Sequence, residues 1–174
     1  GSGIDAYAIT TDAAGNVYGG GVNYEDSAAQ FGPLSLPNTA TPGTAGSLGL
    51  VQAIWVKYSS TGTPLWADGT QHGDAWLYNI ATDAGGNLIV FGSFDSPTLT
   101  IGTTTLTNAY GTSGDNQYFL AKYSPTGTLL WAIHDGNSTN TYHYFLNSVC
   151  ILSTGGVTTD AAGNIYITSS FHKP

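Results

Sequence analysis

At 174 residues with 41% hydrophobic side chains, the chain can bury one sizeable core or contribute to a larger one. Its three basic residues, all lysines, stand against 11 acidic ones for a formal charge of −8, which leaves little to neutralise phosphate and argues against nucleic acid or an anionic membrane as partner. No apolar run approaches the length of a membrane span, and a 12% aromatic content argues against disorder.

Charged residues make up only 8% of the chain while Gly, Thr, Ser and Tyr abound. Helix surfaces are built from the Lys, Glu and Arg that are scarce here, so the expected class is all-β with glycine-rich turns. In chain order, "DAYAITTDAAGNVY" reads first as a hairpin. Tyr7 and Ile9 share one face of its first strand, and Asp12, Gly15 and Asn16 supply the turn. Asp12 is expected to accept backbone N–H groups, with Gly15 and Asn16 tolerating the positive φ of such turns. After the insertion "FGPLSLPNTATPGTAGSLG", the stretch "IWVKYSSTGTPLWA" at 54–67 reads as a second hairpin. It contains Lys57, expected as a stem laid over a sheet face, and Trp66.

The first phrase then returns as "ATDAGGNLI" with Asp83, Gly86 and Asn87. A second insertion, "PTLTIGTTTLTNAYGTSGD", holds a possible small hairpin in "LTIGTTTLT". The second phrase returns as "FLAKYSPTGTLLWA" at 119–132, placing Lys122 and Trp131 where Lys57 and Trp66 stood. A longer insertion follows, in which Asn137-Ser138-Thr139 forms a glycosylation sequon on a predicted exposed loop. "TTDAAGNIY" then brings Asp160, Gly163 and Asn164.

Two phrases that alternate in this way define a unit of four strands, A–B then C–D. Unit one covers about residues 4–70, unit two about 75–135 and a half unit about 144–174, within a single repeat domain 1–174. Tandem four-stranded antiparallel units in two and a half copies are how β-propeller-like blades are written. The triplicated Asp is therefore expected as turn chemistry. Trp66 and Trp131 are expected to be mostly buried, packing one repeat on the next.

"DAYAITTDAAGN", "GNVY" and "AKYSPTGTLLWA" resemble the bacterial SBBP-type β-propeller repeats, which belong to secreted and cell-surface proteins. The resemblance covers nearly all of the chain outside the insertions. It implies a propeller blade and an extracellular or cell-surface location. Residues 149–157 fit the A strand poorly, and Ser169 stands where the family has a Gly after the B strand.

Motifs of known chemistry are missing: no G-x-S-x-G, P-loop, H-E-x-x-H, C-x-x-C or EF-hand loop occurs. His72, His134, His143 and His172 lack metal-ligand spacing and read as solvated loop residues. Asp68, Asp74, Asp95 and Asp115 could converge as a glycosidase pair. Asp26, Asp74 and Asp115 are the acids that could hold Ca²⁺ through oxygen ligands. The expectation is nonetheless no cofactor, with the acids forming a solvated rim. Trp76, Tyr110, Tyr142 and Tyr144 could stack on a glycan, while Cys150, the lone cysteine, reads as a small buried hydrophobe.

The half unit lacks its C and D strands, so its B strand, 164–171, is expected to present an open edge. That edge would pair with chain beyond Pro174 or with another copy. The leading expectation is a non-enzymatic extracellular structural or adhesive protein that self-assembles into a polymer or surface array. A glycan- or ligand-binding propeller comes second and a hydrolase third.

Overall fold

A computed structural model describes residues 3–40, 50–108, 117–134 and 155–168 of the chain. The first hairpin pairs β1 (Ile4–Thr11) with β2 (Val17–Asn23) across the Asp12 turn. A short hairpin of β3 (Ala29–Phe31) and β4 (Leu34–Leu36) follows, then β5 (Gln52–Tyr58) and β6 (Pro64–Gln71). Because β2 pairs antiparallel with β5, the two long hairpins merge into one sheet. The second unit repeats the plan. β7 (Ala75–Thr82) and β8 (Leu88–Phe94) precede the short hairpin β9 (Thr98–Ile101) and β10 (Thr104–Thr107), and β11 (Gln117–Tyr123) and β12 (Leu129–His134) follow. Their order in the sheet is β12-β11-β8-β7. A last hairpin joins β13 (Gly156–Thr159) to β14 (Ile165–Thr168).

The chain is thus all-β among its described residues, built of antiparallel sheets that follow the repeat of the sequence, as in a propeller-like repeat fold. The inserted segments do more than lengthen loops. "LTIGTTTLT" forms β9–β10, and β9 pairs with the end of β6 through Thr70–Ile101 and Gln71–Thr100. The hairpin inserted in unit two thereby extends the sheet of unit one to six strands. Leu99 and Ile101 are fully buried by this docking.

The A strands of the two complete units carry a bulge, between Ala6 and Ala8 in β1 and between Leu77 and Asn79 in β7. The bulge presses a carbonyl towards the B strand. A Cβ at Gly21 would strike the Asp5 carbonyl, and one at Gly92 the Trp76 carbonyl. Only glycine admits so close a backbone approach. Ser169, the next residue in this series, lies outside the described residues.

The sheets stack face to face. One core cluster joins Tyr18, Val22 and Trp55 of unit one to Leu77, Ile80, Val90, Phe119 and Tyr123 of unit two. A second joins Ala81, Ile89 and Phe91 of unit two to Val157 of the half unit. Alternation along each strand makes this possible, since successive side chains serve opposite neighbours.

The tryptophans are buried to different degrees. Trp66 and Trp131 are half-buried, and the fully buried indole is Trp55. At Trp55, β5 is paired on both sides, whereas β6 meets β9 only at Thr70 and Gln71, past Trp66, and β12 is the outer strand of its sheet.

Candidate functional site

The three Asp turns are built alike. Asp12 Oδ1 accepts the N–H groups of Ala14 at 3.0 Å and Asn16 at 2.9 Å, while Asn16 Nδ2 donates to Oδ2 at 2.8 Å. Asp83 does the same with Gly85 and Asn87, and Asp160 with Ala162 and Asn164. Gly15, Gly86 and Gly163 carry the positive φ, at 79°, 75° and 85°. Asn16, Asn87 and Asn164 do not. The asparagine is there as the carboxylate's donor, a correction to its expected role as a second positive-φ residue.

The lysines are also corrected. Lys57 does not lie over a sheet face with its head in water: Nζ stands 3.3 Å from Asp12 Oδ2, and the side chain is 4% exposed. It also donates to the Pro125 carbonyl at 3.1 Å and sits 4.8 Å from the centre of the Tyr18 ring. Lys122 pairs with Asp83 at 2.8 Å. Each cation therefore returns from the C strand to the A–B turn of its own unit. Burial works to raise the Asp83 carboxyl, but the Lys122 ammonium and then the Asn87 donors overcome it and hold it at about 2. Asp12 is lowered in the same manner, burial opposing and the Asn16 donors and Lys57 prevailing. Asp160 is lowered chiefly by the Asn164 side chain; the Tyr166 hydroxyl donates to it at 2.9 Å.

Between units a threonine contact recurs. Thr82 Oγ1 donates to the Thr11 carbonyl at 2.8 Å, and Thr159 Oγ1 to the Thr82 carbonyl at 2.9 Å. The Tyr18 hydroxyl donates to the Gly86 carbonyl at 3.0 Å. Trp66 Nε1 donates to the Pro125 carbonyl at 3.1 Å, and its ring stacks on Tyr123 with centroids 6.1 Å apart. Pro125 O thus receives both Lys57 and Trp66 of the preceding unit.

Of the other acids, Asp74 and Asp95 are drawn together. Asp74 is fully buried and its Oδ1 accepts the Val51 N–H at 2.9 Å. Asp95 is buried with Oδ1 unpartnered. Burial, and then the Asp74 charge, pushes its carboxyl up to about 6. Asp68 lies elsewhere, on β6 beside Tyr123, raised by burial. Asp26 is exposed. The expected acidic rim of Asp26, Asp74 and Asp115 is therefore corrected at Asp74, which is interior. Among the described residues no three His, Cys, Asp or Glu side chains are placed to hold a metal ion.

Trp76 is half-buried against the core. His72 is exposed, and His134 Nδ1 lies 2.9 Å from Gln117 Oε1. Asn137, Asp115, Tyr110, Tyr142, Tyr144, His143, His172 and Cys150 lie outside the described residues. A feature that strand patterns do not reveal is an apolar hollow of about 210 Å³ on the face of unit one turned away from unit two. Ile4, Ala6, Gly19, Gly21, Val56 and Tyr58 border it.

No family model matches the chain. It is 30% identical over 134 residues to a protein of Acanthamoeba polyphaga mimivirus described as an uncharacterized WD repeat-containing protein. The match takes in 75% of this chain and 9% of that protein, so the chain spans less than a tenth of the relative's length. This likeness and the stacked antiparallel sheets agree on a propeller-like repeat fold.

Proposed function

We propose that the chain is a non-enzymatic structural or adhesive repeat protein of the extracellular space or cell surface, which self-assembles through open β-edges into a polymer or array. The observation that carries this reading is the state of the B strands. β2 is paired on both sides by β1 and β5, and β8 by β7 and β11. β14, their counterpart, pairs with β13 and with no other strand among the described residues. An edge of unpaired N–H and C=O groups is a template for a further strand. The location follows from the resemblance to SBBP-type repeats, and the scarcity of charge suits close packing between subunits.

The repeated carboxylates support a scaffold in another way, because each is engaged in closing a turn, and Asp12 and Asp83 also in neutralising a lysine. Native mass measurement and electron microscopy of the purified chain test the proposal, together with hydrogen exchange of Ile165–Thr168. Higher-order particles with slow exchange in that strand are expected. A monomer at all concentrations with rapid exchange there would overturn it.

A further inference from the structure

We infer that the open face of unit one is a docking surface for the half unit of a second copy, so that copies join head to tail. This rests on the self-assembly reading but moves the contact from a strand edge to a sheet face.

The inference follows from comparing equivalent positions. On unit two, the face turned towards unit one is covered: Leu77 is 2% exposed, Ile80 3% and Tyr123 0%. The same positions on unit one are Ala6, Ile9 and Tyr58. Ala6 is exposed, Ile9 is 75% exposed and Tyr58 is half-buried. Ala6 and Tyr58 border the hollow, which is widened because Ala6 and Gly19 replace the larger Leu77 and Val90. At the far end the reverse holds. Tyr18 is fully buried against unit two, while Tyr166, its counterpart on the half unit, is 54% exposed. An exposed aromatic thus stands on the half unit and an apolar hollow on unit one.

The polar contacts complement each other in the same sense. Between units, a threonine hydroxyl reaches back to the preceding unit's carbonyl, and a tyrosine hydroxyl reaches forward to the next unit's glycine carbonyl. Thr11 is the next hydroxyl in the first series and Thr159 supplies the next carbonyl. Tyr166 is the next hydroxyl in the second, and the Gly15 carbonyl its acceptor. Continuing these contacts, of which the threonine one occurs twice and the tyrosine one once within the chain, would pair Thr11 with Thr159, and Tyr166 with Gly15, across two copies. Such a contact joins two different surfaces, so it grows into a ring if the rotation closes and into a filament if it does not.

Two substitutions, one at each end, give the test. Ile9→Asp puts a charge on the open face, and Tyr166→Arg puts one on the half unit; both side chains are exposed within a single copy. Sedimentation should show the unaltered chain growing in mass with concentration and each variant alone remaining a monomer. An equimolar mixture of the variants should form a one-to-one dimer and stop, because one intact pair of surfaces remains. That complementation also shows that both variants are folded. A monomeric unaltered chain would overturn both this inference and the self-assembly reading. Continued assembly of each variant, with slow hydrogen exchange at Ile165–Thr168, would overturn the face contact and leave edge pairing standing.

Discussion

Asp83 combines two tasks that differ in energetic weight. Capping the turn is worth about 1 kcal/mol, whereas stranding a largely buried lysine costs several times more. Asp83→Ala should therefore destabilise the chain by about 2–4 kcal/mol in urea unfolding. Asp160→Ala should cost distinctly less, since its partners are Asn164, backbone N–H groups and Tyr166. Equal losses would show that Lys122 contributes nothing through Asp83. The sign of the pH dependence follows from the folded carboxyl lying at about 2 against 3.8 for the ordinary group. Stability from Asp83 is complete above about pH 4 and is lost as pH falls towards about 2. Asp95 acts oppositely. Its folded carboxyl is raised to about 6, so the folded chain binds more protons between about pH 4 and pH 6, and stability falls as pH rises through that window. Asp95→Asn should stabilise by about 1–3 kcal/mol at neutral pH, because each tenfold change in proton affinity is worth roughly 1.4 kcal/mol. The gain should vanish near about pH 4 in a pH series of unfolding curves.

At the scale of elements, the hairpins were legible because their turns are local chemistry. An Asp, a Gly at positive φ and an Asn donor within five residues close a turn wherever they occur. The pairing of β9 with β6 was not legible, because the Thr70–Ile101 contact depends on how two units stack. The β3–β4 hairpin did leave a signal. Gly32 in "QFGPL" has φ 59° and Gly102 in "TIGTT" has φ 56°, so one turn serves both insertions. Strand position also explains the tryptophans, since β5 is paired on both sides at Trp55, β6 meets β9 only past Trp66, and β12 is an outer strand. Trp55→Ala should cost about 3–5 kcal/mol, the range for a buried indole, and Trp66→Ala less. Trp131→Ala should cost least, because among the described residues Trp131 meets no counterpart of the Pro125 carbonyl. Denaturant midpoints of the three variants give the order directly, and a largest loss at Trp131 would contradict this account.

For the whole molecule, the decisive surfaces are the faces between units. Gly20 of β2 lies under Leu77 and Ile80 of β7, and a Cβ there would overlap Leu77 Cδ2. Gly20→Ala should cost about 1–3 kcal/mol by overpacking. In a Leu77→Ala background the same change should cost about 1 kcal/mol less, because the overlapping methyl has gone. A double-mutant cycle without coupling would mean that the units do not stack through these residues.

The sequence by itself determined the strand class, the three turns and the alternation of two hairpins, since each depends on residues within a few positions of one another. It also marked Asp, Lys and Trp as repeating residues. Only the tertiary structure decided what those residues do. Lys57 meets Asp12 through the pairing of β2 with β5, and it meets Pro125 through the stacking of two sheets. A side chain's partner across a sheet or between sheets is fixed by register and packing over long separations, and no local pattern encodes it. The same reason separates Trp55 from Trp66. Both lie in strands of alternating pattern, but burial depends on how many neighbours the strand acquires when the chain folds.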